Sequence, residues 1–134
     1  MYRFPTEESL TVEFKSDRNC LPDNDIIDAV VAFANTEGGD LYLGIEDDGT
    51  ITGLHPKHRD ITRLTAFIAN KTVPPVSTRA TILHDGQCDV LKLSVPRYTS
   101  IVASAAGKIQ KRRLKADHTP ENVPLYPYEI PQRL

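Results

Sequence analysis

The stretch that decides the fold opens on Glu8-Ser9-Leu10-Thr11-Val12-Glu13-Phe14-Lys15-Ser16. It continues through Ala32-Phe33-Ala34-Asn35-Thr36-Glu37-Gly38-Gly39 and closes on Gly44-Ile45-Glu46-Asp47-Asp48-Gly49, with Gly53 beyond. Leu10, Val12 and Phe14 alternate with Thr11, Glu13 and Lys15, the period of a half-buried strand. Glu13 and Lys15 share its polar face, and Glu8 stands just ahead of it. Ile26, Ile27, Val30, Val31 and Ala34 recur at helical spacing, and Gly38-Gly39 stops that helix where a positive φ is wanted. Leu41, Leu43 and Ile45 return to period two, and Asp48-Gly49 is a strong hairpin signal. The order so far is strand, helix, strand, tight turn, strand, with acids near strand ends.

Further along, Pro56 and Lys57 open a second helical segment, whose apolar stripe is Ile61, Leu64, Phe67 and Ile68 and which Pro74-Pro75 ends. Two strands follow, at about 77–83 and 88–95, joined at Asp85-Gly86. A short extended piece lies around 100–103, and Gly107 opens a basic segment. The tail from Thr119, with Pro120, Pro124, Pro127 and Pro131, is expected to wrap the surface in extended form. The expected architecture is α+β: a mixed, largely antiparallel sheet packing two helices. Its order is β-α-β-β-α-β-β followed by one or two short strands.

A chain of 134 residues with 40% hydrophobic and 25% charged content is expected to form a single domain with an ordinary core. No apolar run approaches a membrane span, and residues 1–8 lack the apolar core of a signal peptide. Cys20 and Cys88 are far apart with no paired metal spacing, so a reduced, cytoplasmic protein is the simplest expectation. The net charge of −2 conceals an asymmetry. Residues 1–60 hold 13 acidic and 5 basic side chains, giving −8, and residues 61–134 hold 5 acidic and 11 basic, giving +6. Such polarity either separates an acidic, metal-attracting edge from a phosphate-attracting one, or holds the two halves together.

The segments "ESLTVEFKS", "AFANTEGGDLYLGIEDDGTITG" and "KIQKRRLKADHTPENVP" together resemble the Schlafen AlbA-like domain family, over about residues 8–130. Bacterial members carry the labels transcriptional regulator or DNA-binding domain. The family's domain commonly precedes others, which implies that residues 1–134 are the N-terminal part of a longer protein. Eukaryotic relatives include RNA-cleaving enzymes with three acids. Carried over, the resemblance matches Glu8 and Glu13 around "EFK", with a third acid just after "GI". Strand alternation puts Glu46 on the face of Gly44 and Tyr42, and Asp47 on that of Leu43 and Ile45. The choice stays open, because a turn begins here. Glu8, Glu13 and Glu46 or Asp47 would then form a catalytic, metal-holding set. Hard oxygen donors in this number suit Mg²⁺ or Mn²⁺. Against this, acids are mostly solvated surface groups, and Glu13 could pair with Lys15 or a basic strand.

Lys108, Lys111, Arg112, Arg113 and Lys115 place five cations in eight residues, a composition that attracts a phosphate backbone with little sequence discrimination. If the segment is a strand, Lys111 and Arg113 face one way and Arg112 the other. The competing reading is a solvated edge strand. Asn35-Thr36-Glu37-Gly38-Gly39 is either a polar loop near the acids or a helix cap with a tight turn. His55 and His58 have metal-pair spacing but no third nitrogen or sulfur ligand nearby in sequence, and read as surface residues. Cys20 and Cys88 read as ordinary thiols. Tyr98, Tyr126 and Tyr128 could stack on bases, yet beside prolines such residues more often pack a tail onto the core. P-loop, dinucleotide-binding and nucleophile-elbow motifs do not occur.

Nucleic-acid binding, DNA-directed and regulatory, is therefore the first expectation. A divalent-metal-dependent endoribonuclease is the alternative, and a homo-oligomerisation domain using edge strands is the third.

Overall fold

The computed structural model describes residues 2–133. The opening stretch forms β1 (Val12–Lys15), α1 (Asp23–Ala34) and β2 (Gly39–Leu43). β1 and β2 run parallel, with Glu13 opposite Leu41 and Phe14 opposite Tyr42. Parallel neighbours need a crossover, and α1 supplies it. The helix starts behind Pro22 with no side-chain cap, but Asp23 and Asp25 in its first turn complement the helix dipole. Its end is set by sterics. A Cβ at Gly39 would lie 2.5 Å from the Phe33 ring and 2.6 Å from the Thr11 carbonyl oxygen, so only glycine lets β2 start beneath Phe33.

β4 (Arg79–Asp85) and β5 (Cys88–Val95) form an antiparallel hairpin, and β5 inserts beside β2 to give the order β1-β2-β5-β4. Leu41 faces Leu93 and Leu43 faces Leu91 across the β2–β5 pair. These leucines are buried with Ile26, Val30 and Phe33 of α1 and with Leu64 and Ile68 of α2 (Ile61–Asn70). Each such side chain contributes roughly 1.5–3 kcal/mol by leaving water. On the other face Phe14, Tyr42, Ile45 and Val90 gather Tyr2 and Phe4 from the N-terminal segment.

The α+β class and the mixed, largely antiparallel pairing are as expected, but three details differ. The strand expected after Gly49 shrinks to one bridge between Ile45 and Ile51. The carbonyl of Gly44 (φ +109°) accepts from both Thr52 N (2.9 Å) and Gly53 N (3.0 Å), so the chain folds back at once. The second helix begins at Ile61, where the Asp60 carboxylate accepts from Arg63 N at 3.1 Å; Pro56–His58 is a separate 3-10 turn. The proline-rich tail also enters a ladder. β7 (Gln110–Leu114) pairs antiparallel with β8 (Pro120–Pro124), and both prolines sit at strand ends, where a missing N–H costs least. Two short strands, β3 (Thr72–Val73) and β6 (Ala103–Ser104), complete the pairing.

Candidate nucleic-acid interface and acidic patch

The basic strand β7 is placed by the loop that ends α1. Asn35 Nδ2 donates to the carbonyls of Val102 and Gln110, both at 2.8 Å, and its Oδ1 accepts from Val102 N at 2.8 Å. Thr36 Oγ1 accepts from Arg112 N at 2.8 Å. The Asn35-Thr36 pair is thus a bracket for β7, with Asn35 bonding distant rather than local backbone.

Alternation along β7 turns Arg112 inward. Its side chain is 1% exposed. Nε donates to Leu10 O at 2.8 Å, and Nη2 donates to Ser9 O and Val12 O, both at 2.8 Å. Nη1 meets Asn122 Oδ1 and Glu13 Oε1, each at 3.2 Å, and the guanidinium lies 4.7 Å above the Phe33 ring. This corrects one expectation. Arg112 has its fork of donors committed inside the protein and leaves none for a phosphate.

The other four cations reach solvent in different places. Lys108 pairs with Asp28 of α1 at 2.9 Å. Lys111 pairs with Glu129, and Arg113, 56% exposed, pairs with Glu121 at 3.2 Å. Lys115 is exposed at the turn end of the β7–β8 hairpin. Seven residues of extended chain span roughly 23 Å, so Lys108 and Lys115 cannot meet one phosphate. What remains is an outward ribbon of Lys111, Arg113 and Lys115. Tyr126 and Tyr128 stand beside it, exposed and stacked with ring centroids 6.1 Å apart. The Lys111–Glu129 pair ties this aromatic turn to the hairpin. Tyr98, by contrast, packs on the core, donating to Pro75 O at 3.0 Å and accepting from Ser77 N at 2.9 Å.

The four candidate acids have different surroundings. Glu8 Oε2 accepts from Phe14 N at 2.9 Å. Burial raises the Glu8 carboxyl above its ordinary value; the Phe14 amide opposes this, and the nearby Glu13 and Asp47 carboxylates reinforce it. Thr52 Oγ1 donates to Glu46 at 2.5 Å, and this bond, helped by the Ser16 hydroxyl, holds the Glu46 carboxyl low. Glu13 gives Oε1 to Arg112 and leaves Oε2 buried with no hydrogen-bond partner. Among the described residues no three His, Cys, Asp or Glu side chains gather closely enough to hold a metal ion.

The charge asymmetry has a structural use. Arg112–Glu13, Lys108–Asp28, Lys92–Asp40 and Arg97–Glu37 each join a cation of the later half to an acid of the earlier one, and Arg59–Asp89 joins the halves in the opposite sense. His58, expected on the surface, is instead 6% exposed and bonded to the fully buried Asp17. No sequence signal short of their 41-residue contact could have paired them.

Among the described residues no helix is long and apolar enough to cross a membrane. The DIP2311 protein from Corynebacterium diphtheriae shares the fold, with a TM-score of 0.68 and 23% identity over 87% of this chain. This chain spans 25% of that protein's length. The N-terminal domain of a protein related to the ATP-dependent DNA helicase RecG, from Nitrosomonas europaea, aligns with 24% identity and a TM-score of 0.47. That alignment covers 67% of this chain and 65% of the other. The family model for "Schlafen, AlbA_2" matches residues 8–120, and by that match over most of its length the chain belongs to the Schlafen AlbA_2 family.

Proposed function

We propose that this domain binds nucleic acid on the outward face of the β7–β8 hairpin, with DNA as the target and a regulatory role as the setting. One observation carries the reading: Lys111, Arg113 and Lys115 share a solvent-facing ribbon with the exposed stack of Tyr126 and Tyr128. Cations that track a backbone beside rings that accept bases are the two parts a nucleic-acid surface combines. The Arg113 partner Glu121 does not block it. Exposed ion pairs contribute about 0–1 kcal/mol, and a phosphate can take the carboxylate's place.

The test is binding of labelled oligonucleotides, followed by fluorescence anisotropy at rising salt. Arg113→Ala with Lys115→Ala should weaken binding on all sequences alike and flatten the salt dependence by a slope of about two. Binding by the double variant equal to the parent's contradicts the proposal.

A metal-dependent endoribonuclease has a single observation in its favour, the orphaned Glu13 Oε2 beside Glu8. Arg112 already occupies the other Glu13 oxygen, and the acids do not converge into a cage. They do not fit Mg²⁺ or Mn²⁺ as placed. Cleavage of structured RNA in Mn²⁺, abolished by Glu8→Gln, would reverse this preference.

A further inference from the structure

The nucleic-acid reading leaves Asp17, Cys20 and His58 without a task, yet the fold brings them into one line. Asp17 lies in the loop after β1, fully buried. Its Oδ1 accepts from Leu21 N and its Oδ2 from His55 N, both at 2.8 Å. His58, from the turn ahead of α2, sets Nδ1 at 2.8 Å from Asp17 Oδ2. An imidazole whose Nδ1–H is donated to a carboxylate presents a lone pair at Nε2. That Nε2 faces Cys20 Sγ at 3.9 Å, at the outer reach of a sulfur hydrogen bond. Cys20 itself adopts φ +58°, a left-handed conformation that non-glycine residues rarely take and that clusters at functional sites. The residue is partly exposed.

We propose that Cys20 is a base-assisted thiol that exchanges with low-molecular-weight disulfides of the glutathione class. The Cys20 sulfur attacks one sulfur of R–S–S–R. A new S–S bond forms to Cys20 as the old one breaks, so Cys20 is oxidised and the leaving sulfur is reduced to R–SH. His58 Nε2 takes the Cys20 proton and returns it to the leaving thiolate. Asp17 is the positioning residue, holding the imidazole in the tautomer that can do so. The result is a mixed disulfide on the loop between β1 and α1. This proposal is independent of the hairpin and of any bound polymer.

Cys88 provides the control inside the same molecule. It is partly exposed too, and among the described residues neither an imidazole nor a carboxylate is hydrogen-bonded to its sulfur. The whole protein is incubated with oxidised glutathione, natively and in urea, and adducts at Cys20 and Cys88 are followed by peptide mass spectrometry. The native Cys20-to-Cys88 rate ratio should exceed the ratio in urea by about a hundredfold, the low end of what base assistance supplies. His58→Gln should bring the native ratio down to the unfolded one. A native ratio no higher than that in urea overturns the proposal, as does a folded His58→Gln protein that keeps the parent ratio. If that variant does not fold, the parent's two ratios decide.

Discussion

Arg112 Nη1 stands 3.2 Å from Glu13 Oε1 inside the protein, joining the basic hairpin to β1. The central cation of a run that looks like a phosphate-binding patch is therefore a structural rivet. Removing one partner of a buried ion pair strands the other charge at about 3–5 kcal/mol. Arg112→Ala should lose that much stability in urea titrations, a large share of an ordinary domain's total. Any loss of binding in that variant would report unfolding. A stability within about 0.5 kcal/mol of the parent would show that the interior does not depend on the rivet.

Arg113 and Lys115 should behave in the opposite way. Both are exposed, so replacing them with alanine should shift stability by no more than about 0.5 kcal/mol while binding weakens. Urea titration and anisotropy on the same preparations separate the two effects.

Glu121 and Glu129 hold Arg113 and Lys111 in the unbound protein. Neutralising them as glutamine removes both the competing partner and a repulsion toward phosphate. Glu121→Gln should tighten binding, by up to about fivefold for a pair of this exposed kind; Glu129 also accepts from the Tyr126 amide and holds the half-buried Lys111, so its replacement loosens the aromatic turn as well. Weaker binding in Glu121→Gln would place the polymer elsewhere.

The exposed rings make a distinct prediction. Tyr126→Ala with Tyr128→Ala should cost about 1–3 kcal/mol of binding for each base stacked, and more on single strands than on duplex. An equal, small effect on both would assign the rings no contact with bases.

Asp17 gives the fold a pH signature. Burial by itself raises its carboxyl, but the His58 imidazole and the amides of Leu21 and His55 outweigh burial and hold it below the ordinary 3.8. A depressed acid adds stability above its unfolded value, and that stability is lost as pH falls through the folded one. Asp17→Asn should therefore be less stable at neutral pH by about 2–4 kcal/mol, the loss of one or two charge-assisted bonds. The gap to the parent should narrow as pH drops below about 3.8. A gap independent of pH would remove the carboxylate from the account.

Much of the fold was legible because burial imposes periods. Leu10–Lys15, the Ile26–Ala34 stripe and the leucines of β2 and β5 announce which face is inside. The strand after Gly49 misled because the Asp48-Gly49 turn signal is genuine, with Gly49 N bonding Glu46 O at 2.8 Å, while the Gly44 carbonyl closes the chain just beyond. In β7 alternation separated Arg112 from Lys111 and Arg113, but could not tell which side meets α1. The third acid was ambiguous for a related reason. β2 ends at Leu43, so alternation no longer governs Glu46 and Asp47. Asp17, Cys20 and His58 were invisible, since only the closed loop brings them together.

An amide chemical-shift titration with a short oligonucleotide tests the central claim most directly. Shifts should concentrate at Lys111, Arg113, Lys115, Tyr126 and Tyr128, with Arg112 and Glu13 responding only weakly from within. Binding whose shifts fall on the β4 edge or around Lys71, with the hairpin silent, would contradict the account.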